Sequence, residues 1–280
     1  MRLAVAIAST SAQESAFVVW RGFKDAIRKA SEYGYQGVEL ALKTAKDINT
    51  KKLNKWLTTY SLEVSCINTG QIFSSLGLYF THPDSSARKR LIEIYKGLVN
   101  LAADYGKFIN VGRTRGFYDD QQEKGATIQR FVEVARTICD YGQSKGVTLL
   151  IEPVNRYEIN FVNTVGEGVE ILQLVERENL GLMPDVFHMN IEDNGIGQTL
   201  SQYGSYVKYV HLADSNRCAP GTGHIDFKDV FAGLMSAGFD GWTSIEILPK
   251  PDADTAARKA AQVILPMIAE YNKVVNIQKR

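Results

Sequence analysis

Four residues supply a donor set for a hard cation: Glu152, Asp185, His211 and Glu246. They lie 33, 26 and 35 residues apart, and each closes a short apolar run, at 147–151, 181–184, 206–210 and 242–245. Such a run reads as a strand covered on both faces. A carboxylate is out of place in a core. At the C-terminal tip of a parallel strand, however, it points into the crevice where α/β proteins bind ligands. Three carboxylates and one imidazole, with no thiolate, suit Mn²⁺, Mg²⁺, Co²⁺ or Zn²⁺. Taken singly, each residue has a plainer reading as a helix cap, a surface acid or a hydrogen-bonded histidine. Four of them on successive strand ends are harder to dismiss.

The neighbouring residues are also chemically rich. Glu152 is followed by Arg156 and Glu158, Asp185 by His188, and His211 by Arg217. Arg156 and Glu158 read equally well as a surface ion pair, and His188 as a core hydrogen-bonding group. The run Gly112-Arg113-Thr114-Arg115-Gly116 ends another strand at the same mouth. Arg113 and Arg115 could face solvent and pair with Asp119 and Asp120. Alternatively, one of them points inward and binds a substrate anion in the bidentate manner that suits guanidinium.

The elements that must position these groups alternate strictly. Strands are predicted at 3–8, 35–41, 63–67, 108–112, 147–152, 181–185, 206–211 and 242–247. Helices are predicted at 20–33, 47–60, 84–105, 125–144, 164–178, 198–203, 227–237 and 254–271. Asp47, Asp84, Asp226 and Asp254 serve as N-caps, and Thr164 with Glu167 as a capping box. Gly34 and Gly238 fall just past helix ends. Residues 68–81 and 113–125 read as long polar loops, a kind that often carries function. Eight units at about 30 residues each predict a single (β/α)₈ TIM barrel over residues 1–280. A doubly wound open sheet is the runner-up. Its Gly-rich first turn is missing, since Ser9-Thr10-Ser11-Ala12 stands there.

Bulk properties narrow the function classes. An apolar fraction of 45% and a charged fraction of 22% fit a globular protein. A net charge of +1 offers no general attraction to nucleic acid or to an anionic membrane. Cys66, Cys139 and Cys218 are too few and too scattered for a disulfide framework or a thiolate zinc site, and they suit a reducing cytoplasm. No stretch is long and apolar enough to span a bilayer.

The run Glu152-Pro153-x-Asn155-Arg156 resembles the ketose 3-epimerases, the D-tagatose/D-psicose 3-epimerase family of xylose-isomerase-like barrels. So do Asp185-x-Phe187-His188-Met189-Asn190, His211…Arg217…Pro220-Gly221-x-Gly223 and Ser244-Ile245-Glu246. The resemblance covers nearly the whole chain. It implies one divalent metal, Mn²⁺ first, held by Glu152, Asp185, His211 and Glu246. It also implies that His188, Arg217 and Glu158 meet the substrate. Free-ketose members usually carry Gly-Glu-Asn-His-Arg after the third ligand and Pro-Phe after the fourth. Here Ala213-Asp214-Ser215-Asn216-Arg217 and Ile247-Leu248 stand instead. With Cys66-Ile67-Asn68-Thr69-Gly70-Gln71 and the Arg113 run, the chain looks closer to the branch containing 5-keto-L-gluconate epimerase.

The expected reaction is inversion of the carbon next to the carbonyl of a ketose or keto-sugar acid, through an enediolate. Glu152 and Glu246 would act as the acid/base pair, with His188 and Arg217 on the developing oxyanion. An aldose–ketose isomerase or a keto-polyol dehydratase on the same barrel would use the same ligands. An abasic-site endonuclease needs more metals and ligands than a chain with four histidines and no basic excess offers. A non-catalytic sugar-binding barrel would have no use for two such glutamates. The expected partner is a small sugar, with neither nucleic acid nor membrane, in a homodimer or homotetramer.

Overall fold

A computed structural model describes residues 1–13, 17–119 and 123–278 of the chain. Asp120, one of the two acids considered as partners for the arginines, lies outside the described residues. Eight parallel strands form the barrel: β1 (Arg2–Ala8), β3 (Gly37–Ala41), β4 (Glu63–Asn68), β5 (Phe108–Val111), β6 (Thr148–Ile151), β7 (Leu180–Leu182), β8 (Tyr209–Leu212) and β9 (Trp242–Ile245). A two-residue strand, β2 (Trp20–Arg21), pairs with the end of β1. The hydrogen-bonded order runs β7-β6-β5-β4-β3-β1-β9-β8. The ring closes between β7 and β8 only through single bridges, Leu182 to Val207 and Asp185 to His211.

The helices are α1 (Phe23–Glu32), α2 (Thr50–Tyr60), α3 (Gly70–Leu76), α4 (Ser85–Asp104), α5 (Lys124–Gln143), α6 (Val165–Val175), α7 (Val186–Glu192), α8 (Ile196–Tyr203), α9 (Phe227–Ser236) and α10 (Ala253–Gln278). Their apolar faces cover the outside of the strands and form the main core. A second cluster, Ala4, Cys66, Leu150, Met183, Tyr209 and Trp242, plugs the interior of the barrel. Above this plug the C-terminal mouth is left for polar side chains.

Several expected boundaries are corrected. Trp20 and Arg21 are strand, not helix, and α1 begins at Phe23. Asp47 does not cap α2. It closes a tight turn by accepting from Lys43 N and Thr44 N, and Asn49 caps the helix by accepting from Lys52 N. Asp254 does not cap α10: it accepts from Trp20 Nε1 and Lys29 Nζ, while Asp252 accepts from Thr255 N. In the expected box, Thr164 accepts from Glu167 N, but Glu167 reaches back to Asn163 N instead of Thr164 N. The supposed loop 68–81 contains α3, and α7 follows Asp185 directly. Asp84, Asp226 and the two glycines occupy their predicted positions.

Candidate metal centre and active site

All four predicted ligands converge at the mouth. Glu152 and Glu246 lie just past β6 and β9, His211 lies within β8, and Asp185 accepts from Phe187 N at the start of α7. One ligand atom from each can be chosen so that all lie within 4.8 Å of one another, and all four residues are buried. Ligands at about 2.0–2.6 Å from a shared cation stand no more than about 4–5 Å apart, so the spacing fits. Asp185 Oδ2 is buried and has no hydrogen-bond partner in the structure. An orphaned carboxylate oxygen beside two other carboxylates is costly by itself. It is accounted for if a cation completes the site.

A second layer of side chains holds this cluster in place. Glu39, fully buried in β3, accepts from His211 Nε2 at 3.0 Å, from the Tyr209 hydroxyl at 3.0 Å and from Asn68 Nδ2 at 2.9 Å. Because a carboxylate only accepts, Nε2 carries a proton toward Glu39. His211 Nδ1 faces the cluster, 3.1 Å from Glu152 Oε1 and 3.7 Å from Glu246 Oε2, where it too is protonated until a cation takes its place. Asn68 also donates to Glu246 Oε1 at 2.9 Å, and Asn110 donates to Glu152 Oε2 at 2.8 Å. Each glutamate thus has one oxygen tied to an asparagine and the other turned to the cluster. Gly112 permits this crowding: a Cβ there would stand 2.7 Å from Glu152 Oε2.

Glu39, Asn68, Asn110 and Asn155 were missed from sequence. Glu39 had a legible signal, a charged residue in the middle of the buried run Gly37-Val38-Glu39-Leu40-Ala41. Asn68 and Asn155 stand in the runs that carry the resemblance but were given no role, and Asn110 had no signal, because residue type does not distinguish a loop asparagine from a buried brace.

The electrostatics follow from burial and crowding. Burial lifts Asp185 to about 6, with Arg217 opposing. Glu246 is pushed well above the usual carboxylate range by burial and by the Glu152 and Glu39 charges. Burial also acts on Glu152, but hydrogen bonding and attraction to His211 outweigh it and hold it below its ordinary value. Burial opposes protonation of His211, yet the Glu39 and Glu246 charges raise it well above the usual range. His188 is driven far down by burial, with the Arg217 and Arg115 charges adding to the effect.

A cavity partly open to solvent lies over the cluster. Glu152, Glu246, Glu158, His188, Arg217 and Arg113 line it, with Phe17, Gln71 and Ser74 on its walls. Arg217 adopts a left-handed backbone (φ 59°), and its guanidinium lies between the rings of Phe17 and Phe187, 3.5 and 4.8 Å from their centroids. It donates through Nη1 to Glu158 Oε1, and Nη2 stands 3.7 Å from Glu246 Oε2. Arg113 reaches the cavity with its guanidinium 5.1 Å from the Phe73 ring centroid, and its Nε is buried without a partner.

Arg115 departs from both of its expected roles. It is fully buried, does not line the cavity, and donates to the carbonyls of Phe161, Gly112, Glu152 and Val162. The backbone consumes its donors, so it clamps the loops and has little left to offer a ligand. Arg156 takes the plainer of its two readings, pairing with Glu192 through Nε and Nη2 at the surface.

The chain belongs to the xylose isomerase-like TIM barrel family, whose model matches residues 27–267. An L-ribulose 3-epimerase from Methylomonas sp. (strain DH-1) is 29% identical, over 80% of this chain and 78% of that protein. Another, from Mesorhizobium japonicum, is 30% identical over 74% of this chain and 69% of that protein. The solved D-allulose 3-epimerase from Methylomonas sp., in complex with D-allulose, matches with a TM-score of 0.82 at 25% identity, covering 95% of this chain and 96% of that one. Fold, buried cation-binding set and relatives together make this chain a carbohydrate epimerase of the isomerase class.

Proposed function

We propose that the protein inverts the carbon beside the carbonyl of a ketose or keto-sugar acid at C3, with Glu152 and Glu246 as the acid/base pair. The observation that carries this reading is their matched setting. Each is buried, lines the cavity, is braced by one asparagine, and turns its second oxygen to the same point. Inversion needs a base on one face of the carbon and an acid on the other, and two carboxylates on different strands can flank a substrate seated between them. One glutamate removes the C3 proton and the other returns a proton from the opposite side. His188 and Arg217 donate hydrogen bonds to the oxygen on which charge develops, and Glu158 holds Arg217 in place. A divalent cation held by Glu152, Asp185, His211 and Glu246 would supply a Lewis acid that polarises the carbonyl. Mn²⁺ suits this oxygen-rich set with one imidazole, with Co²⁺, Mg²⁺ and Zn²⁺ as alternatives.

Arg113 bears on substrate choice. It lines the cavity on a single guanidinium, with no carboxylate partner among the described residues. A single positive charge matches a carboxylate better than a dianionic phosphate, and a neutral hexulose gives it no ionic partner. This favours a keto-sugar acid. The cytoplasmic setting, with which three free cysteines agree, belongs to the same reading, as does a homodimer or homotetramer.

The test is to incubate Mn²⁺-loaded protein with a panel of ketoses and keto-sugar acids in D₂O, then remove the metal and read products by NMR. Deuterium at C3 with a C3 epimer is expected. An aldose or a dehydrated dione as sole product would replace epimerase with isomerase or dehydratase, and no exchange across the panel would sink the reading.

A further inference from the structure

Asn155 is 2% exposed, and both polar atoms of its side chain are hydrogen-bonded. Its Oδ1 accepts from Tyr157 N at 3.0 Å. Its Nδ2 reaches His188 Nδ1 at 2.7 Å and Glu158 Oε1 at 3.3 Å. Turning the amide over would set Oδ1 against the Glu158 carboxylate and the NH₂ group against the Tyr157 N–H. Two independent neighbours therefore fix which end of the amide faces His188, and that end is a donor. A ring nitrogen 2.7 Å from a donor must supply a lone pair. His188 Nδ1 is then unprotonated, the ring is neutral, and its single proton sits on Nε2.

The Nε2 side faces inward. It stands 3.9 Å from Asp185 Oδ2, too far for a hydrogen bond, and His188 lines the cavity. The proton is thus aimed into the site, with no hydrogen-bond acceptor in reach among the described residues. We infer that Asn155 is a positioning residue that holds His188 in its Nε2–H tautomer, so that the neutral ring donates to the substrate oxygen that gathers charge. For its effect on rate this rests on the epimerase reading; for the tautomer it does not. A histidine left free to choose would place its proton on Nδ1 part of the time and present a lone pair to a developing oxyanion.

The experiment uses ¹⁵N-histidine-labelled protein loaded with diamagnetic Mg²⁺. The chain has four histidines, and His188→Gln identifies the resonances of interest. Wild type should show a protonated Nε2 and a bare Nδ1 at His188. A proton on Nδ1, alone or in an imidazolium, would overturn the inference outright. Asn155→Asp presents an acceptor to Nδ1 and should move the proton there. In that variant kcat should fall by about 10²-fold or more, with KM changed much less. A moved proton with unchanged kcat would refute the link to catalysis. Should Asn155→Asp fail to fold, the wild-type spectrum still decides the tautomer. If wild type epimerises no sugar, the functional proposal falls while the spectrum still answers for Asn155.

Discussion

At the scale of single residues, two pairs that look alike in sequence carry different expectations. Glu152→Gln and Glu246→Gln each keep the shape of a cavity-lining ligand but cannot exchange a proton. Each should lower turnover by about 10²–10⁴-fold, and further if metal binding weakens, with circular dichroism unchanged. Proton exchange at C3 without epimerisation in one variant would mark that residue as the returning acid. Near-normal turnover would remove it from the pair. The arginines separate by surroundings. Arg113→Ala should raise KM for a keto-sugar acid and leave a neutral ketose almost unaffected, because its guanidinium reaches the cavity with no carboxylate partner among the described residues. Arg115→Ala should instead destabilise the fold, by about 3 kcal/mol or more, since four buried carbonyls each lose a charged donor and those of Phe161 and Glu152 lose the donor that satisfies them. A thermal melt of both variants checks the contrast. A substrate-selective KM effect in Arg115→Ala with an unshifted melt would contradict it.

At the scale of elements, the strand ends place the chemistry and the caps decide where helices start. Asn49 and Asp47 are both cap-type residues two positions apart, and only Asn49 bonds into the first turn of α2. Asn49→Ala should cost about 1 kcal/mol by denaturant titration, a typical loss for a helix cap. Asp47→Ala should act through the turn 43–47 and leave the helicity of α2 intact; a drop in α2 amide protection would assign the cap to Asp47 after all. Pattern reading chose Asp47 because an acid before an apolar-periodic run is a good start signal. It could not see that Lys43 N and Thr44 N would claim that carboxylate. Asp254 was misread for the same reason, its acceptors being taken by Trp20 and Lys29, which are distant in sequence.

At the scale of the whole molecule, the metal site and the weakest seam of the barrel coincide. β7 and β8 meet only through single bridges, and Asp185 and His211 form one of them. A cation shared by residues from β6 through β9 would cross-link that seam. Saturating Mn²⁺ at about a thousand times its Kd should stabilise the fold by about 4 kcal/mol. Chelation should lower Tm and speed amide exchange first in β7 and β8. Uniform loosening, or none, would separate the ion from the seam. The effect should depend on pH with a definite sign. Without metal, burial lifts Asp185 to about 6, so below that value it holds a proton that a cation must displace. Affinity should therefore fall as pH drops through about 6. It should keep rising above that value because Glu246 and His211, also raised, give up protons to the cation there; isothermal titration measures both.

By itself the sequence determined the βα alternation, the barrel it implies and the four residues that gather at the candidate metal site. These are set by local pattern: apolar runs of strand length, a polar residue closing each run, and about 30 residues per turn of the repeat. It also marked Arg217 and His188, whose neighbours along the chain carry the resemblance. The tertiary structure alone decided what depends on contacts between strands far apart in the chain. Glu39 meets His211 across 172 residues, and Asn68 meets Glu246 across 178. The two arginines of one tripeptide part company because a bend of the loop 113–115 sends Arg115 among buried carbonyls and Arg113 to the cavity. Side-chain type fixes what a group can donate or accept. Only the closed barrel fixes which group it finds, because the partners arrive from strands that pairing, not sequence proximity, makes neighbours.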